Sequence, residues 1–230
     1  MYVPHNEYGE ANPRDDRHEE EFLIDPAFCI RDEQSLRSLF PATHDLAIQK
    51  FQTALGERAQ EFIRRSPFLC LGTQDLGGRA DVSPRGDPPG FVRILDPQTL
   101  AIPDRPGNNR LDSLSNIIAN PNVGLLFMIP GFDETLRVNG TARISAAPAL
   151  CERFAVDDKA PASVLVIHVT SVFFQCARAI KRSHLWDTAR HIERHALPSP
   201  GLILETLSRS GIDGDAYDAA LQARQAATLY

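Results

Sequence analysis

The feature that most constrains the fold is a succession of short apolar segments, separated by turn signals, between residues 68 and 174. The segments alternate in polarity or carry β-branched runs, and short connections favour antiparallel neighbours. Such strands between helices are typical of an α+β fold that is mainly β, and they argue against a parallel sheet. We predict six or seven strands: residues 68–73, 79–84, 91–95, 99–102, 123–129, 135–144 and 163–174.

Helices are predicted on both sides of the strands and between some of them. The helical spacing of apolar residues breaks at Gly56, and Pro67 disfavours helix in the residue before it. Beyond the last strand, the chain is predicted to be irregular with one or two further helices. The predicted helices cover residues 43–55, 57–65, 111–119, 148–156 and 176–183.

We divide the chain into three parts: an acidic arm at 1–30, a strand-rich domain with N-terminal helices at 31–190, and a helical extension at 191–230. The arm has no periodic apolar pattern and carries a dense acidic stretch at residues 15–21. A floppy terminus and an arm lying over a partner subunit both fit this composition.

Charge and hydropathy together exclude two classes of partner. The formal net charge is −6 and the pI about 5.6, without a run of Lys and Arg, which excludes a general nucleic-acid binder. No apolar run approaches the roughly 18 residues that span a bilayer, and the polar, acidic start is unlike a signal peptide. We therefore expect a soluble cytoplasmic protein that binds neither nucleic acid nor membrane. Residues 1–78 hold 8 basic and 14 acidic side chains, a difference equal to the whole net charge.

Sequence motifs identify neither a metal site nor a catalytic residue. The four cysteines, Cys29, Cys70, Cys151 and Cys176, lie far apart and are interpreted as incidental thiols of a reducing compartment. Standard nucleotide, metalloprotease and hydrolase motifs are absent. His191 and His195 are four residues apart but have no third ligand at a helpful spacing. His168 is interpreted as a core or interface histidine.

Two polar segments interrupt otherwise apolar strands, at residues 82–87 and 102–110. The second contains two Arg, two Asn and a Gly directly before a predicted helix. Arg and Asn donate hydrogen bonds, and the first turn of a helix offers free backbone N–H groups with partial positive charge. The segment therefore suits a phosphate. A well-capped turn, in which the arginines pair with Asp104 and Asp112, remains the alternative.

A third polar segment, at residues 179–186, combines adjacent cations, a hydroxyl and the single Trp of the sequence near a helix end. A planar anionic ligand would suit this composition. Cations that stabilise the C-terminus of a helix, beside a core Trp, explain it equally well.

These segments, in this order, resemble the pyridoxamine 5'-phosphate oxidase-like family of FMN-binding split-barrel proteins. The resemblance covers roughly residues 30–190 and is closest to a branch of uncharacterised bacterial flavoproteins. It rests on Ser-Pro-Arg-Gly-Asp at 83–87, Pro-Asp-Arg-Pro-Gly-Asn-Asn-Arg at 103–110, and matching stretches at 129–131, 134–140 and 176–186.

The resemblance implies a six-stranded antiparallel split barrel with flanking helices. It also implies a homodimer that binds FMN in clefts between the subunits. Ser83 and Arg85 would donate hydrogen bonds to the flavin, and Arg137 would face it from the other subunit. The remaining residues that the resemblance places at the cofactor are Asn108, Asn109 and Arg110 for the phosphate, and Lys181, Arg182, Ser183 and Trp186 near the same cleft.

One departure from the family concerns its named activity. The oxidases of pyridoxine phosphate carry a C-terminal Trp…Arg-Leu-His-x-Arg signature, and here Trp186 precedes an Arg-His pair at a different spacing. We therefore expect an FMN-dependent oxidoreductase that acts on another small molecule. The alternative is a non-catalytic flavin- or haem-binding module, a sensor, store or partner protein, with His168 or His184 as an axial ligand of haem.

Overall fold

A computed structural model describes residues 25–209 and 211–230 of the chain. The chain divides into two compact units, Met1–Gln49 and Lys50–Tyr230. The predicted acidic arm lies almost wholly outside the described residues, and its described end holds one short 3₁₀ helix, Pro26–Phe28. The three-part domain organisation stays a prediction.

The first unit contains helices α1, Glu33–Ser38, and α2, Asp45–Gln49. The predicted helix over residues 43–55 is wrong beyond residue 49. Helix α2 is short because its apolar side chains do not pack, and Leu46 and Ile48 are each 60% exposed.

The second unit begins with a segment that pairs with the sheet rather than continuing a helix. The backbone N–H of Gln52 donates to the carbonyl oxygen of Val172 over 3.0 Å, and that of Val172 donates back over 2.8 Å. Helix α3, Glu57–Arg65, has the predicted limits. Its apolar side, which includes Phe62 and Ile63, is buried in the core.

Seven antiparallel strands form one sheet in the order β2-β1-β5-β6-β7-β4-β3. The predicted fold class, mainly β with flanking helices, is confirmed. The six-stranded barrel is wrong, since the four-residue β3 adds a seventh strand as the outer member of a hairpin with β4. Within the described residues the sheet does not close into a continuous ladder. The strands are β1 Phe68–Gln74, β2 Ala80–Gly86, β3 Arg93–Asp96, β4 Thr99–Pro103, β5 Asn122–Met128, β6 Thr135–Ser145 and β7 Val164–Gln175.

The sheet is rolled, so that two strands distant in its order come together. Five strand spacings of about 4.8 Å would separate β2 from β4 by roughly 24 Å in a flat sheet. Yet Arg85 on β2 contacts Asp104, the residue after β4, with 2.5 Å between Nη1 and Oδ1. The rolled sheet therefore has a seam along β2 and β4 that side chains bridge.

The core fills the inside of the rolled sheet and is completed by α3 and α4. Leu69, Leu100, Phe127, Leu136 and Ile167 are fully buried there. A smaller cluster packs Ala101 and Val164 against α5. The remaining helices are α4 Asp112–Ala119, α5 Pro148–Glu152, α6 Arg178–Ser183, α7 Pro200–Leu207 and α8 Gly214–Ala227.

Helix α5 ends four residues earlier than predicted. The chain then turns at Asp157 and Asp158, which both have positive φ, so that Val156 and Lys159 pair with each other. Across the described residues, no helix is long and apolar enough to span a membrane.

Candidate functional site

A cleft of about 460 Å³ lies at the seam of the rolled sheet. Its walls come from β2, from the segment between β4 and α4, and from the turn before β7. Tyr230 completes the lining. This volume falls within the range of about 300–1,000 Å³ that is usual for small-molecule sites.

Strand β2 lines the cleft with its polar face. Ser83 and Arg85 lie opposite Leu71 and Leu69 of β1. Because residues directly opposite each other in a ladder share a face, both polar side chains lie on the core-facing side of the sheet. Val82, on the other face, is 68% exposed. The outer strand thus places hydrogen-bonding groups where the neighbouring strand carries core leucines.

Arg85 holds an unsatisfied donor beside the cleft. Its guanidinium makes an ion pair with Asp104, and the two side chains are only 18% and 17% exposed. The Nε atom is nevertheless buried without a partner, the one buried side-chain nitrogen or oxygen in that state among the described residues. Buried donors are normally satisfied, so this one marks a position for a ligand acceptor or a water.

Arg105 and Asp87 form a second, more buried ion pair across the same seam. The Nε–Oδ2 distance is 2.7 Å, and the side chains are 16% and 3% exposed. Arg105 Nη1 also donates to the carbonyl oxygen of Phe154 over 2.9 Å. The two ion pairs, 85 with 104 and 105 with 87, fix the start of the segment between β4 and α4.

Tyr230 is attached to this pair. Its hydroxyl donates to Asp87 Oδ1 over 2.7 Å, and the Arg105 guanidinium carbon lies 5.1 Å from its ring centroid. The hydrogen bond to the carboxylate raises the pKa of the Tyr230 phenol above its ordinary value. The phenol therefore keeps its proton well above neutral pH.

Residues 108–110 bend tightly before α4. Asn109 and Leu111 both adopt left-handed backbone conformations, with φ of 57° and 61°. The Asn108 side chain accepts the backbone N–H of Arg110 over 3.1 Å. Leu111 occupies the N-cap position of α4, and its side chain makes no hydrogen bond to the first turn. The first turn of α4 therefore faces the cleft without a side-chain cap.

The alternative interpretation of this segment, a capped turn whose arginines pair with Asp104 and Asp112, is confirmed only in part. Arg110 Nε lies 2.7 Å from Asp112 Oδ2, a pair with 60% and 40% exposed side chains. Asp104, in contrast, pairs with Arg85 rather than with Arg105. The exposed Arg110 pair contributes little free energy in water, so an incoming phosphate can compete for this arginine.

A partly buried cluster of two hydroxyls and a carboxylate forms part of the cleft wall. Asp81 Oδ2 accepts hydrogen bonds from Ser83 Oγ over 3.0 Å and from Ser113 Oγ over 2.7 Å. The two hydroxyl oxygens are 3.1 Å apart. This cluster ties β2 to the first turn of α4, and it fixes the orientation of Ser83.

Cations outnumber carboxylates in the described lining of the cleft. Arg85, Arg105, Arg110 and Lys159 line it together with two carboxylates, Asp104 and Asp112, and a third carboxylate, Asp87, pairs with Arg105 from outside the lining. The lining therefore suits an anionic ligand, and the first turn of α4 adds partial positive charge on the same side.

Five of the ten predicted site residues meet in this cleft: Ser83, Arg85, Asn108, Asn109 and Arg110. The other five do not line it within one chain. Exposed Arg137 stacks on Phe173 at 5.4 Å, and Trp186 Nε1 donates to the carbonyl oxygen of Phe132. The remaining three are exposed on or beside α6: Lys181, Arg182 and Ser183.

Sequence reasoning missed several residues of the cleft. Arg105 lies in the second polar segment and could have been chosen with Arg110. No local sequence pattern marks Lys159 or Tyr230 as a site residue, because only the fold brings them to the cleft. Four histidines were possible ligands of a metal or haem, at 168, 184, 191 and 195, and none of them lines the cleft. No group of three or more His, Cys, Asp or Glu side chains suited to a metal occurs in the described parts of the chain.

A family model described as pyridoxamine 5'-phosphate oxidase matches residues 55–176. The match covers more than half of the 230 residues. The chain belongs to the pyridoxamine 5'-phosphate oxidase family. The matched region contains the whole sheet and all the cleft residues except Tyr230.

Solved structures similar to this member of the pyridoxamine 5'-phosphate oxidase family come from several bacteria. HupZ of Group A Streptococcus is 20% identical, with 52% of this chain and 92% of that chain covered and a TM-score of 0.43. General stress protein 26 of Bacillus anthracis is 16% identical, with 51% and 91% covered and a TM-score of 0.41. An FMN-binding protein of Syntrophomonas wolfei is 11% identical, with 62% and 96% covered and a TM-score of 0.39. Comparison with curated protein sequences gives no match.

Proposed function

We propose that this chain is an FMN-binding oxidoreductase that transfers a hydride or electrons to or from a small molecule. The observation that carries the proposal is the cleft itself. It brings the Asn-Asn-Arg segment, the first turn of α4 and the unsatisfied donor of Arg85 to one place at the seam of a split-barrel-like sheet. Family membership and the resemblance of the same residues to flavin-binding proteins make FMN the anionic ligand of choice.

The phosphate of FMN would lie against residues 108–110. Arg110 supplies a charged fork, Asn108 and Asn109 supply amide donors, and α4 supplies backbone N–H groups that lack a side-chain cap. Arg110 would exchange its exposed partner Asp112 for the phosphate. A charge-assisted hydrogen bond of this kind contributes about 1.5–3 kcal/mol.

Ser83 and Arg85 would bind the flavin itself. Arg85 lines the cleft with a buried Nε donor that has no partner, and Asp104 holds the guanidinium in place through Nη1. A cation beside the N1–C2=O edge of the flavin stabilises negative charge there and raises the reduction potential. FMN would supply the redox chemistry, and the residues of the cleft would bind, orient and tune it.

A homodimer is part of the proposal. Arg137 is exposed on β6, so a second copy of the chain could receive it at its own cleft. The same holds for the exposed residues Lys181, Arg182 and Ser183 and for the half-buried Trp186, which would approach the cleft of a partner. The FMN would then lie between subunits.

The substrate is proposed to be a small molecule other than pyridoxamine phosphate. In the segment that departs from the family signature, Trp186 donates to Phe132, and Arg190 Nε lies 3.5 Å from Asp187. Neither side chain lines the cleft. The described lining of the cleft also contains no histidine or cysteine.

The experiment is a redox titration of the FMN-loaded protein. Reduction of the bound flavin by a nicotinamide nucleotide, followed by reoxidation by a small-molecule acceptor, supports the oxidoreductase. A bound flavin that no reductant changes contradicts it and favours the non-catalytic module. A haem module is tested by the Soret band, with His168→Ala and His184→Ala as variants.

A further inference from the structure

Helix α8 packs on α7, and a single residue of α8, Gly214, is buried. A Cβ on Gly214 would lie 2.9 Å from the backbone oxygen of Gly201, so the two helices approach closely there. The backbone N–H of Gly201 also donates to Asp218 over 2.8 Å. Toward the cleft, in contrast, a hollow of about 920 Å³ lies between residues 106–108 and the side of α8 that carries Leu221. A helix that buries so little surface opens readily from its surroundings.

The tail that follows α8, residues 228–230, is held at the cleft through Tyr230. The Tyr230 hydroxyl donates to Asp87 Oδ1 over 2.7 Å. The Arg105 guanidinium carbon lies 5.1 Å from the centroid of the same ring. On another side, Lys159 Nζ donates to the backbone oxygen of Tyr230 over 3.2 Å. Polar contacts and one cation–ring contact therefore attach the tail, without a buried apolar anchor.

Tyr230 connects two walls of the cleft. Asp87 follows β2 on one wall, and Lys159 belongs to the turn before β7 on another. The tail comes to this position from the solvent side, since Leu229 is 62% exposed. The Asp87 side chain, by contrast, is only 3% exposed. The Tyr230 ring therefore lies across the rim of the cleft, on the outer side of the ion pair that Asp87 makes.

We infer that the tail is a lid of the cleft, that the hydrogen bond from Tyr230 to Asp87 is its latch, and that a ligand enters and leaves when the latch is open. With FMN as the ligand, this inference rests on the proposed function. Opening breaks the latch and the ring contact, but Asp87 keeps its ion pair with Arg105, so no buried charge is left unpaired. The hollow beside α8 gives the tail space to move.

A lid has a kinetic signature that separates it from a residue that binds the ligand. The latch must open before a ligand enters and again before it leaves. Weakening of the latch therefore raises the rate constants of association and dissociation by the same factor and leaves the dissociation constant unchanged. Loss of a direct contact to the ligand, in contrast, acts mainly on dissociation and weakens affinity.

The test is stopped-flow fluorescence of FMN, with association followed on mixing and dissociation followed on dilution. Tyr230→Phe keeps the ring and removes the latch. Tyr217→Phe is the matched control, because it removes the hydroxyl of a tyrosine of α8 that lies outside the lining of the cleft. We expect both rate constants to rise about tenfold in Tyr230→Phe, as for a lost hydrogen bond to a carboxylate, with the dissociation constant within about twofold of the wild type. The control should change neither rate constant.

Three results would overturn the lid while leaving the proposed function in place. Wild-type rate constants in Tyr230→Phe show that the latch does not limit exchange. Faster dissociation alone, with weaker affinity, shows that Tyr230 binds the ligand directly. An equal rise in Tyr217→Phe shows a general loosening of α8. If the wild type binds no FMN, the proposed function fails and the lid fails with it. Should Tyr230→Phe not fold, Tyr230→Leu replaces it with the same expectation.

Discussion

Arg105 Nε lies 2.7 Å from Asp87 Oδ2, and this contact joins the ends of two strands that four others separate in the sheet. Asp87 follows β2 at one edge, and Arg105 follows β4 near the other edge. No backbone ladder joins β2 to β4, so this ion pair helps to hold the two strands together in the rolled sheet. It also fixes one end of the segment that is proposed to bind the phosphate.

Loss of the Asp87 carboxylate should destabilise the fold strongly. Asp87→Ala leaves Arg105 buried without its partner and removes the acceptor of Tyr230. Breaking a buried pair in this way lowers the free energy of unfolding by about 3 kcal/mol, measured by urea denaturation. The control is Glu61→Gln on α3, whose pairs with Arg58 and Arg65 are exposed and contribute about 0–1 kcal/mol. Equal effects of the two substitutions would contradict the structural role of Asp87.

Arg110→Ala should weaken FMN binding while the protein stays folded. The loss of a charged donor to phosphate corresponds to about 10- to 100-fold in affinity. Flavin fluorescence measures the dissociation constant, and the thermal transition checks the fold. Arg143→Ala, which removes an exposed arginine of β6 outside the cleft, is the control and should leave the affinity unchanged. Wild-type affinity in Arg110→Ala would refute the phosphate role.

Most strands could be predicted from the sequence because their patterns are local. Strand β2 shows how, since Asp75 and two glycines mark the turn before it, and the ladder pairs it with β1. The helix over residues 43–55 was overpredicted because apolar spacing alone does not show whether a core is there to receive it. Leu46 and Ile48 are exposed. The rolling of the sheet depends on contacts distant in sequence, which no local pattern encodes, whereas the seventh strand, β3, forms a local hairpin with β4.

Gly140→Ala should test the close approach of β6 to β7. A Cβ at this position would overlap the backbone oxygen of His168, next to the irregularity between residues 139 and 140. The strands must separate to admit it, so we expect a loss of about 1–3 kcal/mol in the free energy of unfolding by urea denaturation. In Gly107→Ala a Cβ meets nothing within 4 Å, and stability should not change. A neutral Gly140→Ala would contradict the described approach.

The Tyr230 phenol should make stability depend on alkaline pH. The hydrogen bond to Asp87 raises the pKa of the folded phenol above the ordinary value of 10.0, so the folded state favours the protonated form. This contribution is complete below that ordinary value and is lost as the pH rises through the folded pKa. The free energy of unfolding of the wild type should therefore fall more steeply above pH 10 than that of Tyr230→Phe. Parallel profiles of the two proteins would contradict the contact.

Local sequence patterns predict the candidate site only where its residues are close in sequence, and Ser83 and Arg85 follow from the family resemblance instead. Residues 108–110 precede a helix, and that local arrangement alone suggests a phosphate site. The pairing of Arg85 with Asp104 was not predicted, because it joins strands across the seam. Tyr230 lies 143 residues from its partner Asp87, and only the fold brings the two together.

The most direct test of the account is the visible spectrum of the purified protein, taken before and after titration with FMN. We expect a flavin spectrum at one FMN per chain, with riboflavin, which lacks the phosphate, bound at least about tenfold more weakly. A colourless protein that FMN does not reconstitute would contradict the central claim.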